Sequence, residues 1–448
     1  MFCIRKRLIT WWNLVGHPFA ISLLRICKGK RREDLYSYHE REVITTRTIK
    51  ADISLCKPKH EPLLFDNGKI TISDDMIVVS GCLDSEHAEL FSITYKAGIN
   101  LHPDLENFVK YKKANDDGQP IKIVNEEGTR VLSVKTRSIA NGGSEYTWSL
   151  SKLSLSYSST TEENYVVINL PYIQLVRGIR GIGNLAESIT LSDNIHSIII
   201  RKTSNENLTI IDTGNLPQSV LDAFLTHASF YSYSMCDIIK IYTHNHGLQK
   251  VKIQIPNFEN TKDFGGLPEL HYVHYSEDRS FKSFFQQSKW NDLQDDEREK
   301  LKNAVYTLVR CKYCDETTEF LLLYSILDRY VGNSYGKEPY PVMKANLAER
   351  NIDITKIGLN PDANLQKLKL RLIRDNGKKP VADFCNLRNY IMHFTANANI
   401  DEFLRKSPLI SSMRFAVTII LLQEFGFDNI YFPKDWRHLS VLFPSREQ

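Results

Sequence analysis

Residues 383–394 read DFCNLRNYIMHF, and the spacing of side chains in this stretch decides how the C-terminal part of the chain folds. At 3.6 residues per turn, its apolar side chains share one stripe of a helix, the side that faces a core: Phe384, Leu387, Ile391 and Phe394. Polar side chains three and four residues apart fall on the opposite side: Asn386, Asn389 and His393. Arg388 lies on the flank between the two sides. The spacing indicates no packing role for the Arg, Asn and His side chains, so we expect them to face solvent or a partner surface.

The polar residues have the order Arg388, Asn389, three further residues, then His393. This order resembles the signature of HEPN domains, the helical higher-eukaryote-and-prokaryote nucleotide-binding family, in which Arg and a polar residue precede His on a helix. Asn at the second position and the amphipathic helix strengthen the resemblance. The alternative is an ordinary solvated helix face that carries one Arg and one His.

Length and composition bound the class of protein. A chain of 448 residues favours two or three domains, and 42% hydrophobic with 25% charged residues is a globular composition. The net charge of +4 is too small to indicate a nucleic-acid binder from charge alone, so any basic surface must be local. Eight scattered cysteines do not form a disulfide framework and favour a cytoplasmic location.

Residues 1–55 are interpreted as an apolar and basic N-terminal segment followed by a linker. The stretch 8–27 is nearly long enough to span a bilayer and has basic flanks. Arg25 lies inside it, however, and charge within a membrane span is costly. We therefore expect a helix that packs on the protein or on a partner rather than a membrane anchor. Residues 28–55 are charged and are predicted to form a solvated linker or exposed helix.

Residues 56–265 have the texture of short strands and polar turns. Residues 69–73 alternate with period two, residues 90–95 are predicted to form a strand, and turn sequences such as 116–118 separate the strands. Residues 217–235 have helical spacing instead. The pattern predicts a β-rich region of sandwich or barrel type with one helix laid on it.

Residues 280–448 are predicted to be a helical bundle. Acidic residues at 292–297 begin one helix, where the helix dipole favours them, and residues 317–331 form a second. Residues 381–397 are the signature helix, and residues 411–425 form a last apolar helix that Gly426 ends. The predicted fold class is α+β, a β-rich N-terminal region followed by an all-α bundle. With the signature on its penultimate long helix, this order of helices is similar to that of HEPN domains.

The HEPN resemblance implies a metal-independent ribonuclease without a cofactor. His393 is then the general acid or base, Arg388 holds the scissile phosphate, and Asn389 orients the other two or binds a phosphate oxygen. Asp328 and Asn386 are supporting residues. The 2′-hydroxyl of the RNA attacks the adjacent phosphate, and the product carries a 2′,3′-cyclic phosphate. Because one helix supplies one Arg and one His, the resemblance also implies a homodimer with a composite site.

The order of a β-rich region before the bundle is similar to that of ApeA-type antiphage HEPN proteins. This second resemblance rests on architecture and implies a toxin or abortive-infection effector whose β-rich region senses a phage-derived or protein trigger. Two other functions stay open. One is a non-catalytic HEPN module that binds a nucleotide or partner, and the other is a structural subunit of a larger defence complex.

Two further patterns carry predictions. A basic run precedes the signature helix and is a candidate RNA-binding surface, with a solvated helix face as its alternative: Lys367, Lys369, Arg371, Arg374, Lys378 and Lys379. Cys311 and Cys314 have the spacing of half a zinc site, but no second pair follows them. We therefore expect no metal there.

Overall fold

The fold is known from a computed structural model. It describes residues 46–430 apart from 56–61, 75, 96–108, 117–118, 177–185, 193–195, 215, 257–266, 268–269, 271–272, 274, 333–338, 355–356, 358, 360–382, 394–397 and 429. The predicted N-terminal segment therefore lies outside the described residues up to position 45. No helix in the described ranges is long and apolar enough to cross a membrane.

The first part of the described chain is dominated by antiparallel strands. They are β1 (Thr46–Leu55), β2 (Leu63–Ser73), β3 (Ile77–Leu83), β4 (Val109–Asp116), β5 (Gln119–Val124), β6 (Val131–Ser138), β7 (Ser144–Leu150), β8 (Lys152–Ser158), β9 (Tyr165–Ile168), β10 (Ser188–Ser192), β11 (Ser197–Lys202), β12 (Thr209–Asp212), β13 (Ile238–Asn245) and β14 (Leu248–Gln254).

These strands pair in the order β10-β11-β12-β9-β13-β14-β8-β5-β4-β1-β2-β3-β7-β6. They make up two antiparallel sheets that are joined at β5, which pairs with β4 on one side and with β8 on the other. The first sheet contains β1 to β4, β6 and β7, and the second contains β8 to β14. A salt bridge links the two sheets, because the buried Lys240 on β13 contacts Asp74 at the end of β2.

Helices make up most of the rest of the described chain. They are α1 (Ser85–Tyr95), α2 (Tyr172–Val176), α3 (Gln218–Ser232), α4 (Phe281–Gln287), α5 (Asp295–Arg310), α6 (Glu316–Val331), α7 (Pro339–Glu349), α8 (Phe384–His393), α9 (Ala398–Lys406) and α10 (Leu409–Glu424). The acidic first turn of α5 is confirmed, and Gln294 and Glu297 close it with a capping box. Helix α10 ends as predicted, since Gly426 has a φ of 92°.

Helix α6 is the centre of the helical part. It packs against α5, α7, α9 and α10. Polar contacts fix two of these packings: Arg414 on α10 donates to the buried carboxylate of Glu319, and Thr317 donates to Asp401 on α9. The carboxylate of Glu319 is thus held by a buried cation, which offsets the cost of removing its charge from water.

The second sheet and the helices share one hydrophobic core. Its residues come from β9 to β12 and from α2 to α10. Helix α3, which the sequence places in the β-rich region, packs against α4 and α5. Its His227 is surrounded by the rings of Phe284, Phe285, Trp290 and Phe425. The core therefore continues across the predicted boundary between the β-rich region and the bundle.

Two local predictions are wrong. Residues 46–55 form strand β1 rather than a linker or exposed helix, and β1 pairs with both β2 and β4. Residues 90–95 are the last part of helix α1 rather than a strand. The carboxylate of Asp84 accepts the backbone N–H of His87 at 2.8 Å, so a helix cap overrides the strand-like composition.

The predicted fold class is confirmed, because a β-rich region precedes a run of helices in a mixed α+β chain. The helix at 217–235 is also confirmed in type. The predicted division into three domains stays a prediction.

Candidate functional site

Helix α8 carries the Arg-Asn-x3-His residues, and Asp383 fixes its start. One carboxylate oxygen of Asp383 accepts the backbone N–H of Asn386 at 2.8 Å, and the other accepts the side-chain amide of Asn386 at 2.6 Å. This is the geometry of a helix N-cap, in which a side chain satisfies a backbone donor of the first turn. Asn386 was predicted as a supporting residue, and in this structure its side chain donates a hydrogen bond to the capping carboxylate.

The apolar stripe of α8 faces the core as predicted. Phe384, Leu387 and Ile391 are buried, while Phe394 lies outside the described residues. The ring of Phe384 packs edge-on against Tyr324 of α6 and Tyr340 of α7. The apolar stripe therefore packs α8 against both α6 and α7, and the polar side of α8 faces away from this packing.

A tyrosine and a cysteine make the polar contact between α6 and α8. The side chains of Tyr324 and Cys385 are hydrogen-bonded, and Cys385 also lies 3.7 Å from the sulfur of Met343 on α7. Burial raises the pKa of Cys385 to about 12 and raises the pKa of Tyr324 as well. Both groups are therefore uncharged at neutral pH, which suits a packing role rather than a nucleophilic one.

Arg388 reaches from α8 over the ring of Tyr324. Its guanidinium carbon is 5.5 Å from the ring centroid, and its Nη1 donates to Oδ1 of Asn389 at 2.9 Å. Arg388 and Asn389 are both half-buried. The ring below and the amide beside it restrict the guanidinium, and a restricted guanidinium is a good receptor for a phosphate because its donors are already oriented.

Asp328 and Arg388 act on the same pair of buried groups. After burial, which is the largest cause, the charge of Asp328 raises the pKa of both Tyr324 and Cys385, while the charge of Arg388 lowers it. Asp328 is exposed on α6, one turn after Tyr324. The structure thus brings this predicted supporting residue to the side of α6 that faces Arg388. The described contacts include no ion pair between the two.

His393 is the last residue of α8, four residues after Asn389. Residues four apart share one face of a helix, so the backbone places positions 389 and 393 on the same side. The side chain of His393 lies outside the part of the chain that the structure describes. The same holds for the whole predicted RNA-binding run, Lys367, Lys369, Arg371, Arg374, Lys378 and Lys379.

Sequence reasoning did not single out two tyrosines that adjoin the site. Tyr324 belongs to the apolar stripe of α6, so its spacing indicates only a core residue. Tyr340 has a buried hydroxyl that has no hydrogen-bond partner among the described residues. Burial raises its pKa to about 12, and the charge of Asp383 adds to this. A tyrosine on an otherwise apolar stripe is a usable signal, because a buried hydroxyl needs a partner.

Cys311 and Cys314 bond to the backbone in this structure. The Sγ of Cys311 is 3.4 Å from the carbonyl oxygen of Thr307, and the Sγ of Cys314 is 3.3 Å from that of Arg310. Burial raises the pKa of both thiols, which disfavours the thiolate that a metal requires. Within the described ranges, no group of three or more His, Cys, Asp or Glu is placed to hold a metal ion.

Comparison with known proteins adds no relative. No family model, no curated protein and no solved structure matches the chain.

Proposed function

We propose that this chain is a metal-independent RNA endonuclease of HEPN type, with Arg388, Asn389 and His393 as its catalytic residues. The observation that carries the proposal is the arrangement of Arg388, which lies over Tyr324 and donates to Asn389 at 2.9 Å. An arginine with this support, on a helix whose other side is buried, is oriented for a ligand rather than for packing.

The proposed reaction needs one charge stabiliser and one proton carrier. The 2′-hydroxyl oxygen attacks the adjacent phosphorus, the bond from phosphorus to the 5′-oxygen breaks, and a 2′,3′-cyclic phosphate and a 5′-hydroxyl result. Arg388 binds the non-bridging oxygens, where negative charge builds up in the transition state. Asn389 keeps the guanidinium in place. His393 carries a proton, because imidazole titrates near neutral pH.

The site is composite in this proposal. One α8 helix supplies one Arg388 and one His393, whereas the attacking and leaving oxygens each exchange a proton. A homodimer that brings two α8 helices face to face supplies both groups. A monomer in solution that still cleaves RNA contradicts this part of the proposal, and sedimentation of the active protein measures it.

The proposed biological role is that of a cytoplasmic toxin or antiphage effector. Unchecked cleavage of RNA harms the cell that makes the enzyme, so its activity must be restrained. The β-rich region is the proposed sensor of a phage-derived or protein trigger. The continuous core between the second sheet and the helices supports such coupling, since a change in the sheet meets packed side chains of the helices directly.

Incubation of the purified protein with total RNA in EDTA tests the chemistry. We expect cleavage with cyclic-phosphate ends by the wild type and none by Arg388→Ala or His393→Ala. Arg329→Ala is the matched control, because Arg329 is an exposed arginine on α6 outside the site, and it should cleave like the wild type.

Production of the same proteins in growing cells tests whether the purified nuclease is inactive only because it is restrained. Growth arrest with RNA fragments from the wild type alone supports the effector. Intact RNA in the purified reaction and in the cells, with or without phage infection, contradicts the nuclease and favours a binding module.

A further inference from the structure

One side of the second sheet changes from apolar to basic along a single row of paired residues. Antiparallel partners point to the same side of a sheet, so the pairings between neighbouring strands trace one row across eight strands. In sheet order the row is Ile189, Ile200, Ile211, Val166, Ile241, Lys252, Ser154 and Val124. The change falls between β13 and β14.

The apolar half of this row lies under the helices. Ile189, Ile200, Ile211 and Val166 are buried in the core that the sheet shares with α2 to α10. Beyond β13, the sheet buries its other side instead, through Leu153 and Leu155 on β8 and their partners on β14. The side of β14, β8 and β5 that continues the row is therefore left exposed, directly beside the helical layer.

The charged side chains of the exposed side are basic, and the exposed apolar Val124 and Leu248 lie on the same side. We call it the β5–β8–β14 face and define it by the side chains that alternate outward on these strands and carry its charge: Lys122, Lys152, Lys250 and Lys252. No outward side chain of these three strands is acidic. The carboxylate of Glu126, which follows β5, pairs with Lys252 at 3.1 Å.

Two of these lysines have free charge at the middle of the face. Lys250 pairs with Ser156, and Ser156 pairs with Lys122, so the two lysines flank a small hydroxyl residue on the intervening strand. Their backbones are roughly 10 Å apart, two strand spacings. Both side chains are exposed, and neither has an ion-pair partner among the described residues.

We infer that the β5–β8–β14 face binds the sugar-phosphate backbone of RNA. Lysines on separate strands offer several point charges to a polyanion, and Ser154 and Ser156 between them let a phosphate approach and can donate a hydrogen bond. No aromatic residue points outward from these three strands, so there is no platform for base stacking. The face is thus suited to holding RNA without regard to sequence.

This inference rests on the proposed function only for the identity of the polyanion. The face lies on the same side of the second sheet as the apolar row that packs against the helices. It assigns to the sheet a binding role that we predicted from the sequence for residues 367–379.

Binding of a labelled single-stranded RNA oligonucleotide, followed by fluorescence anisotropy, tests the inference. The full-length chain carries His393→Ala in every sample, so that no cleavage interferes and the outcome does not depend on the nuclease activity. The test variant adds Lys122→Glu and Lys250→Glu. The matched control adds Lys135→Glu and Lys202→Glu, which reverse two exposed strand lysines elsewhere and change the net charge equally.

We expect the test variant to raise Kd at least about tenfold and to reduce the slope of log K against log salt by about 1.4, the value for two lost phosphate contacts to a single strand. The control should bind within about twofold of the parent. Equal losses in both variants, or no loss in the test variant, overturn the inference. Unchanged circular dichroism and thermal unfolding show that both variants are folded.

Vesicles that contain phosphatidylserine distinguish RNA from an anionic membrane, the other polyanion that a basic face could bind. We expect the parent protein to bind the oligonucleotide and not to float with the vesicles. A parent protein that floats with anionic vesicles through Lys122 and Lys250 and does not bind the oligonucleotide overturns the assignment to RNA.

Discussion

The guanidinium of Arg388 on α8 lies 5.5 Å from the ring centroid of Tyr324 on α6. The same tyrosine bonds Cys385 with its hydroxyl and packs edge-on against Phe384. A single side chain of α6 therefore contacts both the buried stripe and the polar flank of α8. The orientation of Arg388 depends on how these two helices pack, and this gives Tyr324 a positioning role.

Removal of the Tyr324 ring should slow RNA cleavage. We expect Tyr324→Leu to reduce the single-turnover cleavage rate about tenfold, because a cation–π contact at a half-buried site contributes roughly 1 kcal/mol or more. Tyr324→Phe keeps the ring and should stay within about twofold of the wild type. Equal rates for the Leu and Phe variants would show that the ring does not position Arg388.

Loss of the helix cap should weaken α8. We expect Asp383→Ala to lower the free energy of unfolding by about 1 kcal/mol, because the backbone N–H of Asn386 loses its acceptor. Asp383→Asn keeps a capping oxygen and should lose much less. Urea unfolding of the full chain measures both, and a loss as large for Asn as for Ala would refute the cap.

Removing only one partner of the salt bridge between the two sheets should destabilise the protein. The ammonium of Lys240 is 2.5 Å from Asp74, and its side chain is 1% exposed. We expect Lys240→Met to lower the free energy of unfolding by about 3 kcal/mol, because it leaves the carboxylate of Asp74 without its cation.

A double variant and a surface variant complete this experiment. Lys240→Met with Asp74→Asn should recover part of the loss, since no unpaired charge remains. Lys202→Met, at an exposed strand position, should change the free energy of unfolding by less than about 0.5 kcal/mol. Additive losses in the double variant would contradict a direct interaction between Lys240 and Asp74.

His227 should make the stability depend on pH. Burial lowers the pKa of this histidine from 6.5 to about 4. The unfolded chain therefore binds a proton before the folded chain does as the pH falls. The neutral, buried His227 therefore contributes about 3 kcal/mol to the free energy of unfolding. This contribution is complete above pH 6.5 and is lost as the pH falls from 6.5 to about 4.

The comparison of two histidine variants isolates this effect. We expect the free energy of unfolding of His227→Leu to fall less steeply than that of the wild type between pH 6.5 and 4. His246→Asn changes an exposed histidine with a φ of 49°, a backbone conformation that Asn tolerates, and should keep the wild-type slope. Identical slopes for His227→Leu and the wild type would show that His227 does not titrate in this way.

Local sequence patterns predicted the wrong secondary structure where a neighbouring residue or strand had the larger effect. Strand β1 has the alternation of a half-buried strand, with Ile49, Ala51 and Ile53 buried, but its charged residues between them resemble the preceding charged segment. In α1, aromatic and β-branched residues favour a strand. They form a helix instead, because Asp84 caps its first turn. Strand composition is a weak guide because it reflects packing partners more than the backbone.

The sequence by itself determined the α+β class, the acidic start of α5, the end of α10 at Gly426 and the buried stripe of α8. Each of these follows from residues within a few positions of one another, since helix periodicity, caps and turns are local. The HEPN resemblance had implied Asp328 as a supporting residue. Only the tertiary structure decided that Tyr324 on α6 adjoins Arg388 and Cys385 on α8, and that one row of the second sheet changes from a buried to a basic surface. Those contacts depend on which apolar faces pack together, and residues far apart in the chain determine that choice.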